Sequence, residues 1–235
     1  MRFAQLSVWI GIISAAGFLL GLLLPAMGAM GPLAGLGLSS AGAALGVSGF
    51  VLAVIAALSG AFQESLIGLV TGGCMVAVVI VFFVMVRRYP PINDIVTDPA
   101  SALSFEQAQS TPENQGKDLV YPGGNFTQSQ QTAYPDIQPL KLSMPPDEAF
   151  AFVEKTARAM PRWQISASDP AAHRLEGFDT TALYGFRDDF VIQVMAADGG
   201  SVVQMRSRSR LGRGDVGVNA NRIRKFFAQL KQMAD

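Results

Sequence analysis

Cysteine and histidine are almost missing from this chain of 235 residues. Cys74 is the sole cysteine, which excludes an intrachain disulfide, and His173 is the sole histidine. A Cys/His zinc site needs several such ligands and cannot be assembled. No carboxylate spacing of the EF-hand kind occurs either, so neither a metal nor a cofactor is expected. Charge is missing from the front of the chain. All but one of the 18 basic and all but one of the 18 acidic side chains lie beyond Val86, the exceptions being Arg2 and Glu64. That split excludes a wholly soluble protein, a disordered chain and a globally basic nucleic-acid binder.

What fills the front is apolar. Three runs, Leu6–Leu24, Gly35–Leu58 and Ser65–Val86, each approach the 20 or so residues that cross a bilayer core as a helix. Pro25, Gly28, Gly31 and Pro32 separate the first two, and the 59–64 segment separates the last two. The expectation is therefore a membrane anchor of three transmembrane helices over residues 1–88. No aspartate, lysine, arginine or histidine falls within a run, so ion pumping and proton relay lack their usual groups. Each run carries two glycines four apart: Gly17 and Gly21, Gly42 and Gly46, Gly68 and Gly72. Such pairs let helix backbones approach closely. They suit either packing of the three spans on one another or a seam for a homo-oligomer or a protein partner. Membrane lipids are partners in any case. Local charge leaves orientation open, because Arg2 favours a cytoplasmic N-terminus whereas Arg87 and Arg88 favour a cytoplasmic C-terminal region.

Beyond Arg88, two prolines forbid helix continuation, and residues 89–137 read as a Pro/Gln/Ser-rich linker. Within it Asn125, Phe126 and Thr127 form a glycosylation triplet, of consequence only in a eukaryotic secretory pathway. Residues 138–235 read as a soluble α+β domain. A short strand over 138–143 precedes a helix opened by Pro145 and Pro146, with Phe150, Val153, Ala157 and Met160 on one face. Strands are expected over 163–168, 174–181, 190–196 and 202–211, the last pair joined by an Asp198-Gly199-Gly200-Ser201 turn. Asp215 is placed as the structural cap of a final helix that shows Val216, Ala220, Ile223, Phe227 and Leu230 on one face. The fold class is thus a membrane α-helical anchor plus an antiparallel four- to five-stranded sheet with two helices on one face, helix-grip-like.

Chemistry is sparse. Gly212, Gly214 and Gly217 match the G-x-G-x-x-G pattern, but no parallel repeat and no ribose-binding acid follow, so the turn reads as flexible and not as a dinucleotide site. Arg206, Arg208 and Arg210 alternate with serines and share one sheet face, with Arg213 beside them. The four form either an anion- or partner-binding row or a set paired to Asp179, Asp188, Asp189 or Glu176. Asp188 and Asp189 are adjacent and face opposite ways on a regular strand, unlike a catalytic dyad. His173 lies in a turn, and no catalytic residue is assigned. Nucleic acid is excluded as a partner, since the basic stripe carries no aromatics for base stacking.

Several segments carry a resemblance. They are Pro90-Pro91-Ile92-Asn93-Asp94-Ile95-Val96-Thr97-Asp98, Tyr134-Pro135-Asp136-Ile137-Gln138-Pro139-Leu140, Gly185-Phe186-Arg187-Asp188-Asp189, and the long run from Arg206-Ser207-Arg208-Ser209-Arg210 to Asn219-Ala220-Asn221-Arg222-Ile223. From about Pro90 to the end the chain resembles the domain-of-unknown-function family 1499, including its multi-span members. Those members usually carry histidine where this chain has Asn93, a departure that weakens an enzymatic reading. The resemblance implies a domain working outside the cytoplasm, hence an N-terminus inside and a cytoplasmic (inner) membrane location. Two functions follow as expectations. One is a non-enzymatic binding or scaffolding domain displayed at the cell-envelope membrane; the other is an enzyme acting on an anionic envelope substrate through an arginine-lined site.

Overall fold

The computed structural model describes residues 2–234 and divides into two compact units. The apolar unit holds α1 (Arg2–Ala26), α2 (Pro32–Leu58) and α3 (Phe62–Arg88). All three are long and apolar enough to cross a membrane. Their outer faces present the large apolar side chains Trp9, Ile13, Val70 and Phe83, each more than half exposed. Inside, small residues replace large ones. A Cβ added at Gly42 would lie 2.5 Å from the Phe18 nitrogen, and one at Gly72 would lie 2.7 Å from the Phe50 Cβ. Gly17 faces Gly42, Gly21 faces Ser39, Gly46 faces Met75 and Gly68 faces Ser7. All six glycines therefore pack against a neighbouring helix of the same chain, which leaves other faces for any contact with a second molecule. Hydroxyls buried in the bundle are satisfied locally: Ser14 donates to the Gly42 carbonyl at 2.7 Å, and Ser65 to that of Ala61 at 2.6 Å.

The polar unit is built on a six-stranded antiparallel sheet, one strand more than the upper expectation. Its strands are β1 (Asp94–Val96), β2 (Leu140–Leu142), β3 (Trp163–Asp169), β4 (Arg174–Thr180), β5 (Arg187–Ala197) and β6 (Gly200–Ser209). The order is β1-β6-β5-β4-β3, and β2 shares the outer side of β6 with β1. Here the linker reading is corrected. Residues 89–137 supply β1, paired Asp94 to Arg208 and Val96 to Arg206, and also α4 (Gly124–Ala133). Three residues among polar neighbours carry too little alternation to mark a strand, and β1 exists because β6 offers it a partner.

Helices α5 (Pro146–Ala159) and α6 (Val218–Ala234) cover one face of the sheet. Phe150, Val153, Ile223, Phe226 and Leu230 from the helices meet Leu175, Phe190, Ile192, Val203 and Met205 from the strands. Phe226, not Phe227, is the fully buried aromatic of α6, and Trp163 lies against both Phe226 and Phe190 with ring centroids 5.1 and 4.1 Å away. Each such side chain contributes roughly 1.5–3 kcal/mol by burial. Both sheet edges are blunted, which limits pairing with other chains. At one, β3 carries an irregularity between Ile165 and Ala167. At the other, the Gln130 amide accepts from the Val96 nitrogen at 3.1 Å and donates to the Val96 carbonyl at 2.7 Å, acting as one residue of an extra strand.

Gly42→Leu should disrupt the helical unit, since the added side chain meets backbone and not a movable side chain. Overpacking of this kind costs about 1–3 kcal/mol, read as a lowered thermal midpoint of the full chain in detergent. Gly37→Leu, where a Cβ meets open space, is the control and should leave the midpoint unchanged.

Candidate functional site

Strand β6 is the axis of the polar chemistry. Successive side chains on a strand point to opposite faces, so Arg206, Arg208 and Arg210 share the face away from α5 and α6, while Ser207 and Ser209 point under α6. The face with the arginines is not open. Residues 98–121, expected as linker, form a strap across it. Phe105, Ala108 and Leu119 of the strap pack on Val191.

Arg206 is the innermost group, only 1% exposed. Its Nε and Nη2 donate to Asp94 Oδ1 and Oδ2 at 2.9 and 2.7 Å, a bidentate pair. Nη1 and Nη2 also reach the carbonyls of Leu103 and Leu119 at 2.5 and 2.7 Å, one on each arm of the strap. The Phe105 and Tyr121 rings lie 4.7 and 5.7 Å from its guanidinium carbon. Arg210 pairs with Asp189 at 2.7 Å and with Glu113 of the strap at 3.2 Å. Asn114 donates to the same Asp189 at 2.8 Å. On β4, Glu176 accepts from three strap nitrogens, those of Glu106, Gln107 and Ala108, at 2.8, 2.9 and 3.3 Å. Two of the four expected site arginines are thus internal fasteners, because a buried charge is stable only where carboxylates and carbonyls surround it.

The other two differ. Arg208 is one-fifth exposed, its nearest carboxylate is Asp94 at 3.9 Å, and its buried Nη1 has no hydrogen-bond partner. Burial pushes the Arg208 guanidinium below its ordinary range, with Asp94 opposing the shift. Arg213 is exposed on the turn before α6.

The face toward the helices holds a second network. Ser207 donates to Asn219 at 2.7 Å, and Asn219 donates to Ser209 at 3.0 Å. Arg222 bridges Asp179 and Asp188 at 3.0 and 2.6 Å. Asp188 and Asp189 therefore face opposite ways, as expected of neighbours on a strand, and each has its own arginine. Asp215 accepts from the nitrogens of Gly217 and Asn219, both at 2.8 Å, and so caps α6. The glycine pattern before it is explained by backbone shape, with φ of 88° at Gly212 and 78° at Gly217. Burial raises the pKa of Asp215 and of Asp189 above the ordinary carboxylate value.

His173 pairs with the exposed Asp147 at 2.6 Å across the domain surface. Among the described residues no group of three His, Cys, Asp or Glu side chains is arranged to hold a metal ion. Sequence reasoning missed Asp94, Glu113 and Asn114, all in the supposed linker, and Asn219 on α6. Asp94 had one signal: it stands before two β-branched apolar residues, Ile95 and Val96.

Asp94→Ala should cost about 3–5 kcal/mol in denaturant unfolding of the full chain, because it strands the buried Arg206 charge. Asp189→Asn should cost less, since Arg210 keeps Glu113. The two strap latches also respond oppositely to pH. Asp189, raised above 3.8 by burial, adds stability as pH falls through its folded pKa and loses it as pH rises. Glu113, held below 4.5 by backbone and arginine donors, gives stability above 4.5 that is lost as pH falls through its lower folded pKa. Unfolding titrations from acid to neutral pH on Asp189→Asn and Glu113→Gln should each remove one of these opposed slopes.

No curated protein and no solved structure matches the chain. A family model does match, over residues 94–230, and its bounds begin at β1 and end within α6. The match therefore takes in the sheet, the strap, the arginine networks and both covering helices. By that match the chain belongs to the family described as protein of unknown function, DUF1499.

Proposed function

We propose that this chain is a non-enzymatic binding or scaffolding protein, anchored by three spans in the cytoplasmic (inner) membrane with its polar unit displayed on the extracytoplasmic side. The observation that carries the reading is the mutual consumption of charge. Arg206, Arg210 and Arg222 each spend their donors on internal carboxylates and carbonyls. What such a domain offers a partner is its surface, and Arg208 and Arg213 are the members of the row with capacity left for an anionic or acidic partner. The rival reading, an enzyme holding an anionic envelope substrate in an arginine-lined site, requires Arg208 or Arg210 in a concave pocket beside an unpaired carboxylate, and Arg210 is spent on Asp189 and Glu113. The placement outside the cytoplasm rests on the resemblance and on the weak influence of flanking charge on long translocated domains.

A reporter active only outside the cytoplasm, fused after Asp235, should be active in whole cells. Activity from a cytoplasmic reporter at that point overturns the placement and moves the partner search to the inner leaflet. Purification in mild detergent should recover a stable protein partner or bound lipid. Arg208→Ala with Arg213→Ala should reduce that recovery several-fold without lowering the thermal midpoint. Repeated recovery of a bare monomer counts against the binding role.

A further inference from the structure

The two arms of the strap do not close on each other. Between them lies a cleft of about 340 Å³, at the small end of the range for ligand pockets. Its floor is buried and mostly apolar: Phe105, Leu119 and Tyr121 over the flat guanidinium of Arg206. Its rim is polar and accessible, formed by Gln109, Lys117 and Asp118. We infer that this cleft is a carbohydrate subsite that takes one neutral, polyhydroxylated ring. The inference goes beyond the binding reading above, at a cleft whose lining includes neither Arg208 nor Arg213.

Charge argues for a neutral occupant. The Arg206 charge is matched beneath the floor by Asp94 at 2.7 Å, and the adjacent Lys117 and Asp118 oppose each other at the rim. An anion would meet the Asp118 carboxylate and a cation the Lys117 ammonium, so the cleft gains little from either sign. Hydrogen-bonding capacity argues for hydroxyls. Asp118 Oδ1 accepts from the Val120 nitrogen, which leaves Oδ2 as an acceptor. Gln109 donates through Nε2 to the Lys117 carbonyl, which leaves Oε1 as an acceptor. Lys117 gives one proton to the Arg210 carbonyl at 2.6 Å and keeps two to donate. A hydroxyl is donor and acceptor at once, and a ring bearing several can satisfy this mixed rim while its C–H groups meet the small apolar area that Phe105, Leu119 and Tyr121 leave exposed. An alkyl chain would use the floor and leave the rim unpaired.

The cleft is also held in shape before any ligand arrives. Arg206 ties the Leu103 carbonyl on one arm and the Leu119 carbonyl on the other to a single rigid fork. Such preorganisation lowers the ordering cost of binding.

The test uses the full chain in a detergent without sugar headgroups, because alkyl glycosides would compete. Glucose, N-acetylglucosamine and the N-acetylglucosamine dimer are titrated beside inorganic phosphate and laurate, with saturation-transfer NMR as readout. At least one sugar should bind saturably. Gln109→Ala with Asp118→Ala should weaken it about tenfold or more, the loss expected of two rim hydrogen bonds. Both residues are exposed, so the thermal midpoint should hold, and Gln109→Leu alone serves if the double variant fails to fold. Absence of saturable sugar binding, sugar binding untouched by the variants, or variant-sensitive binding of phosphate or laurate in its place overturns the inference. The binding measurement is made in vitro and does not depend on membrane placement, so its failure is separable from a misplaced reporter.

Discussion

The strap side of the sheet depends on where the Arg206 guanidinium puts its charge. A cation that is 1% exposed pays a desolvation penalty of several kcal/mol and remains charged only if its donors find acceptors. Asp94 supplies the counter-charge from β1, and Leu103 and Leu119 supply carbonyls from the two arms of the strap. One side chain on the central part of β6 thereby fixes an edge strand and both ends of a long irregular segment. Remove the charge balance and three distant pieces of chain lose their common point.

The long run from Arg206 to Ile223 makes sense in the same terms. Its residues divide by strand parity. Arg206 and Arg210 fasten the strap, whereas Ser207 and Ser209 meet Asn219 on α6 from the opposite face. Gly212 and Gly217 give the left-handed turn that lets the chain leave β6 and re-enter as α6 directly above those serines. Asp215 caps the helix so that Asn219 and Arg222 arrive in register. A motif that looks on paper like a nucleotide loop beside an anion site is, in three dimensions, the fastening of a two-sided sheet.

How much of this was legible follows from the range of each interaction. The three long apolar helices were readable because their defining property is local, about 20 apolar residues in a row, the length that crosses a bilayer core. Strands β3, β5 and β6 and helices α5 and α6 were readable because their apolar residues recur along the sequence with period 2 or 3.6. The strap and β1 have no such period. Their order comes from partners 103 and 70 residues away, Arg206 for Leu103 and Glu176 for the Glu106 amide, and no local pattern announces a carbonyl that will meet a guanidinium. The same distance hid the fate of the arginines. Sequence placed Arg206, Arg208 and Arg210 on one face and offered pairing as an alternative, but only the fold assigns Asp94 to Arg206 and Asp189 to Arg210. Arg208, between them, has no close partner.

Charge in this position is a choice of specificity over strength. Replacing a buried ion pair by well-packed apolar residues is often neutral or stabilising, so Arg206 and Asp94 are not needed merely to add free energy. What an apolar pair lacks is direction. Phe105 and Leu119 on Val191 would tolerate a strap displaced along the strand, since hydrophobic contact is non-directional. A planar fork with five donors does not tolerate it, because a shift of one residue presents a nitrogen in place of a carbonyl oxygen. Glu176 makes the complementary demand, accepting three consecutive amides that only one register supplies. A cation reading carbonyls and an anion reading amides together set the strap in one position. That fixed position shapes the cleft between its arms.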